Sequence, residues 1–122
     1  MFKDSLYTIQ KISAENGSVK VTIKLNADHE IFKAHFPSQP VLPGACMLQM
    51  IKEVLETALI VKLQLSKAGE IKFLSMIQPS AAALQFAIQY NFITNTSLNI
   101  SAQILLNDVV CCKMKGLFQT KT

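Results

Sequence analysis

The sequence predicts an α+β domain in which an antiparallel sheet wraps round one central buried helix. Three observations lead there. Four stretches alternate apolar and polar residues with a period of two, the pattern of strands with one covered face. A single helical segment near the middle of the chain is apolar on every side over its first turns, which marks a buried helix. Finally, 122 residues without a linker, repeat or low-complexity segment suit one domain over 1–122. The order strand, strand, helix, then four strands is met by a sheet that closes round its helix.

The first clear strand carries Val19, Val21, Ile23 and Leu25 on one face and Lys20, Thr22, Lys24 and Asn26 on the other. Its hairpin partner is expected over Leu6 to Ile12, because Asn16-Gly17 supplies the positive φ angles that a tight turn demands. Leu84-Phe86-Ile88-Tyr90-Phe92 and Leu98-Ile100-Ala102-Ile104-Leu106 repeat the alternation. Asn107-Asp108 then turns the chain into a last strand through Val110, Cys112 and Met114. A less regular strand is expected around Ile71 to Ile77. The helix is expected from about Gly44 to Lys62, with Gln49, Lys52, Glu53 and Glu56 gathered in one polar stripe at about 100° per residue.

Composition excludes several classes. The net charge is +4, but all twelve basic residues are lysines scattered from Lys3 to Lys121, with no run and no interleaved aromatics. Nucleic-acid readers concentrate their charge and use arginine for base edges, so the balance is read as solubility with a bias towards acidic partners. No apolar run approaches the roughly 18 residues of a membrane span, and the first residues lack a signal-peptide core, so the expected location is the cytosol. Cys46, Cys111 and Cys112 make no disulfide framework, since neighbours in a strand point to opposite faces and the total is odd. With two histidines and no ligand spacing, no metal site is expected. Half the residues are apolar, an excess that a second subunit would cover.

Chemistry concentrates in His35-Phe36-Pro37-Ser38-Gln39-Pro40-Val41-Leu42-Pro43-Gly44. Three prolines in seven residues stiffen a loop that runs straight into the buried helix. The first amides of a helix lack partners within it and carry the positive end of its dipole, and a glycine there admits a ligand oxygen close to the backbone. Such a loop can polarise a carbonyl beside an imidazole. It can equally be a structural loop whose histidine bonds a backbone carbonyl, and the residues alone leave both readings open.

The segment resembles the signature of the hot-dog-fold 3-hydroxyacyl-(acyl carrier protein) dehydratases, His-Phe-Pro-x-x-Pro-(Val/Ile)-x-Pro-Gly. All seven fixed positions are present as His35, Phe36, Pro37, Pro40, Val41, Pro43 and Gly44. The resemblance implies a hot-dog domain and dehydration of an acyl thioester in fatty-acid or specialised acyl-chain biosynthesis. His35 would take the proton beside the thioester carbonyl, and Gly44 N–H would stabilise the enolate-like charge. Phe36, Pro43, Ala45 and Leu48 would contact substrate. It also implies a site at a dimer interface, acyl carrier protein or coenzyme A thioesters as partners, a homodimer or a heteromeric hot-dog pair, and no cofactor, since loss of water is redox-neutral.

The chain departs from that pattern on the helix. The family places an acid fourteen residues after the histidine, where this chain has Gln49, and an amide four residues further on, where it has Glu53. Three readings follow. Glu53 supplies the proton for the leaving hydroxyl, directly or through a water on Gln49. Alternatively, Gln49 binds the hydroxyl or an attacking water, giving a slow dehydratase or a thioesterase. Or catalysis is lost and the domain holds acyl chains or pairs with an active subunit. Against a role in chemistry, Glu53 also fits a solvated stripe with Lys52 and Glu56. Lys72-Phe73 matches the family's next strand, but Pro79-Ser80-Ala81 replaces its usual Pro-Gly-Asp turn. Cys46, at the helix start, fits a packing role better than a reactive one, and His29 fits a surface position.

Overall fold

A computed structural model describes residues 1–34, 39–80 and 83–121. Its elements are β1 (Tyr7–Glu15), β2 (Ser18–Leu25), a short α1 (Ile31–Ala34), α2 (Gly44–Leu59), β3 (Lys62–Phe73), β4 (Leu84–Phe92), β5 (Ser97–Leu106) and β6 (Val109–Lys121). The six strands form one antiparallel sheet in the order β1-β2-β4-β5-β6-β3. The expected α+β architecture is therefore the observed one.

The alternation read from the sequence sets which face is covered. Val19, Val21 and Ile23 of β2, Leu84, Phe86 and Ile88 of β4, and Leu98, Ala102 and Ile104 of β5 are all buried. They meet Met50, Ile51, Val54 and Leu55 of α2, each fully buried. One-residue slips would turn these apolar rows to water, so the pattern itself specifies the register. The β1–β2 turn has Asn16 at φ 49° and Gly17 at φ 79°, and the β5–β6 turn has Asn107 and Asp108 at φ 50° and 65°. Both pairs adopt the left-handed conformations that match a hairpin's twist.

Three expectations need correction. The strand after the helix begins at Lys62 and ends at Phe73, earlier than Ile71 to Ile77. Residues beyond it leave the sheet ladder. Leu74 and Ser75 donate to the Cys111 carbonyl, and the Ile77 carbonyl accepts from Leu42 N–H at 2.7 Å. That last bond pins the proline-rich approach to α2. The helix stops at Leu59 rather than Lys62, through Ile60 at φ 55°. A left-handed end held by an isoleucine has no sequence signal, since glycine or asparagine is the usual residue there. The third concerns Cys111 and Cys112, which do not face opposite ways. The β5–β6 register runs Ile104↔Cys112 and then Leu105↔Val110, which leaves Cys111 as the extra residue of a bulge. Both thiols are buried as a result.

Candidate functional site

Pro43, extended at φ −65° and ψ 147°, caps α2 without any side-chain hydrogen bond. Its carbonyl accepts from Cys46 and Met47 N–H. Among the described residues, Gly44 and Ala45 N–H have no protein acceptor, so two amides at the positive end of a buried helix remain available. The ring of Phe73 lies directly over Gly44, where a Cβ would come within 2.7 Å of it. Leu42, Gly44, Met47, Phe73, Leu74, Ser75 and Met76 line a groove of about 490 Å³ beside the helix start. Phe73, Leu74 and Met76 expose 52%, 51% and 80% of their surface, an apolar patch at the mouth of the groove.

The structure brings Gly44, Pro43 and the groove together. Ala45 is exposed beside them, and Leu48 is half-buried against the core. His35 and Phe36 lie outside the described residues. Lys33, in α1, precedes them, and His29 Nδ1 accepts from Ile31 N–H at the start of that turn, so His29 has a structural task.

Glu53 does not sit in a solvated stripe. It is 3% exposed, and its carboxylate is the acceptor for four groups. Oε1 accepts from Phe2 N–H at 3.1 Å, Lys3 N–H at 2.8 Å and the Tyr7 hydroxyl at 3.0 Å. Oε2 accepts from Phe2 N–H at 3.0 Å and from Gln49 Nε2 at 2.8 Å. Burial alone pushes this carboxyl up, but the donors on Gln49, Phe2, Tyr7 and Lys3 outweigh it and hold the group below its ordinary value. The Tyr7 hydroxyl shifts the opposite way, raised by burial and then by the neighbouring charge. Glu56 is also engaged, accepting from Leu63 N–H at 2.7 Å where the chain enters β3.

Gln49 is half-buried one turn before Glu53, and its amide nitrogen also reaches Met1 Sδ at 3.6 Å. The Cys46 thiol is buried and raised by that burial, against any lowering by the helix dipole. Among the described residues no group of three or more metal-ligating side chains occurs, and no helix is long and apolar enough to cross a membrane. Sequence reasoning missed Tyr7 and the Phe2-Lys3 amides. The only trace was a tyrosine at the covered end of a strand, whose hydroxyl must find a partner when buried.

A six-stranded antiparallel sheet round a central helix defines a hot-dog protein. Solved structures agree on the fold. The dehydratase heterocomplex ApeI:P from Xenorhabdus doucetiae matches with TM-score 0.74 at 19% identity, over 92% of this chain and 96% of that one. The smu.793 protein from Streptococcus mutans UA159 bound to acetyl CoA gives 0.72 at 12%, over 99% and 91%. The E. coli PaaI protein from the phenylacetic acid degradation operon gives 0.68 at 15%, over 95% and 80%. More specifically, the model of the ApeI-like family, described as ApeI dehydratase, matches residues 10–110. The chain belongs to that family, and the matched span contains His35, Gly44, Gln49 and Glu53.

Proposed function

We propose that this protein dehydrates a 3-hydroxyacyl thioester, carried by acyl carrier protein or coenzyme A, to the trans-2-enoyl thioester. The observation that carries this reading is the pair of amides at Gly44 and Ala45 that have no acceptor among the described residues, with Gly44 on the wall of an apolar groove. Preorganised N–H donors aimed at a thioester oxygen stabilise the charge that develops when the neighbouring proton leaves. His35 is the base in this scheme, and Phe36, Pro43, Ala45 and Leu48 flank the acyl chain. The family membership supports the dehydratase class, and acyl-chain biosynthesis in the cytosol is the setting it suits.

A homodimer completes the site. Strand β3 is a twelve-residue edge strand with most of its residues exposed, and Phe73 at its end belongs to the apolar patch beside Gly44. Pairing along such an edge would cover both. The dehydratase heterocomplex among the structural matches makes a hot-dog partner of a different sequence the alternative arrangement.

One observation favours a second reading, a non-catalytic or partner-dependent subunit. Neither helix position offers a proton to a leaving hydroxyl. Gln49 is an amide, and Glu53 is held ionised by its donors. Loss of a general acid costs about 10²–10⁴ in rate. A thioesterase, with water held on Gln49, is the third reading.

Incubation with a 3-hydroxyacyl-(acyl carrier protein), following enoyl product and free thiol together, separates them. Enoyl product that disappears in His35→Ala supports the dehydratase. Free thiol without enoyl product transfers the assignment to thioesterase. No turnover on several chain lengths refutes the stand-alone enzyme and directs attention to a catalytically complete partner.

A further inference from the structure

Lysines scattered along the chain are gathered by the sheet. Strand β3 contributes Lys62, Lys67 and Lys72, and β6 contributes Lys113, Lys115 and Lys121, half of the chain's lysines. Their register sets Lys62 opposite Lys121, Lys72 opposite Lys113 and Lys67 opposite Leu117. Residues directly opposite in an antiparallel pair point to the same face. The other face of β6 carries Cys112, Met114 and Phe118, all buried. The six lysines therefore stand together on the face turned away from the core, every one of them exposed. Glu70 is the one acid in either strand, and it already lies 3.8 Å from Lys72. Six lysines and one glutamate leave this strip at +5, whereas the whole chain nets +4.

Stability gives no reason for the arrangement. Lysines on an exposed edge strand deter aggregation, which accounts for those of β3. Strand β6 is hydrogen-bonded on both sides, so its lysines guard no edge. Like charges directly opposite destabilise a sheet, and that happens here at both Lys62–Lys121 and Lys72–Lys113. We propose that the outer face of the β3–β6 ribbon is a docking surface for an anionic lipid bilayer. The strip runs for roughly 35 Å along the strands, and a membrane presents negative charge over all of that length. Lysine is a point charge on a flexible stem, suited to mobile lipid phosphates rather than to bidentate recognition. Two copies facing each other through this strip would repel. An apolar feature inside the strip selects lipid over nucleic acid. Lys67, Gly69, Ile93, Asn99, Lys115 and Leu117 line an open hollow of about 470 Å³. Ile93 is 55% exposed there, with its N–H held by the Ser97 carbonyl at 2.8 Å. Between two lysines this side chain can enter a headgroup layer, whereas a phosphate backbone offers it nothing.

The test is flotation of the full chain with vesicles of equal parts phosphatidylglycerol and phosphatidylcholine, and with phosphatidylcholine alone, at low and high salt. The protein is expected to float with the mixed vesicles at low salt only, and not with phosphatidylcholine. Each lysine near the bilayer contributes about fivefold, so Lys67→Gln, Lys113→Gln and Lys115→Gln together should weaken binding about 100-fold. That variant relieves the Lys72–Lys113 opposition and should unfold no earlier than wild type, so lost binding is not lost structure. Lys11→Gln, Lys20→Gln and Lys24→Gln remove the same charge from the opposite side of the sheet and should cost less than about threefold. Ile93→Asn should weaken vesicle binding about fivefold and leave binding of duplex DNA unchanged. Absence of flotation with the mixed vesicles overturns the proposal, as does an equal loss from the two lysine sets. Duplex DNA bound more tightly than the vesicles, with Ile93→Asn affecting neither, assigns the surface to a soluble polyanion and overturns it too.

Discussion

Glu53→Ala isolates the interaction that ties the N-terminal segment to the central helix, and its cost can be worked from the contacts. The Tyr7 hydroxyl, on a residue 1% exposed, would lose its acceptor inside the protein. An unsatisfied buried donor costs about 1–3 kcal/mol. The Phe2 and Lys3 amides lie near the surface and can turn to water, so each loses only the excess of a charge-assisted bond, about 1 kcal/mol. Gln49 is half-exposed and recovers most of its loss. The sum is about 3–5 kcal/mol, the range found when one partner of a buried charged pair is removed. For a chain of this length that is a fall in Tm of roughly 10–20 °C.

The same carboxylate makes the cost depend on pH. Its folded pKa is depressed, so its stabilisation is complete above the unfolded value near 4.5 and is lost as pH falls through the lower folded value. Urea unfolding at pH 7 and again at pH 3 should therefore show a wide gap between wild type and Glu53→Ala that narrows in acid. A gap below about 1 kcal/mol at pH 7, or one that does not change between the two pH values, would refute the assignment of Glu53 as an ionised anchor.

Other outcomes follow from single positions. Ile60→Gly should raise stability by about 1 kcal/mol in urea unfolding, because Ile60 is 89% exposed yet held at φ 55°, a conformation that penalises a β-branched residue. Gly17→Val should cost about 1–2 kcal/mol by the same assay, since its φ is 79° and a Cβ would lie 3.1 Å from the Tyr90 carbonyl. Gly44→Ala should leave the fold intact, because the Phe73 ring it would strike is half-exposed and free to swing. Under the proposed function, turnover of a 3-hydroxyacyl thioester should fall about 10- to 100-fold as the methyl crowds the amide, measured alongside unchanged circular dichroism. Thiol titration of the native protein at pH 8 should find Cys112 unreactive, since burial and then Cys111 push it up to about 11, with full reaction only in denaturant.

Much of this protein was legible in its residues. Period-two rows such as Val19-Val21-Ile23 and Leu98-Ile100-Ala102 named the covered sheet face, and Asn16-Gly17 and Asn107-Asp108 named the hairpins. Pro43-Gly44 located the helix start, because a proline and a glycine constrain backbone wherever they occur. These are local properties, and a short window of sequence contains their causes. Tertiary structure decided the rest. The left-handed stop at Ile60 and the bulge that turns Cys111 inward arise from packing that no neighbouring residue encodes. Glu53 is the sharpest case. Along the helix it shares a polar stripe with Lys52 and Glu56, and periodicity assigns all three to water. Its burial depends on Phe2, Lys3 and Tyr7, about fifty residues away in the chain, folding back to supply donors. A carboxylate is stable inside a protein only where such donors converge, and convergence is a property of the fold.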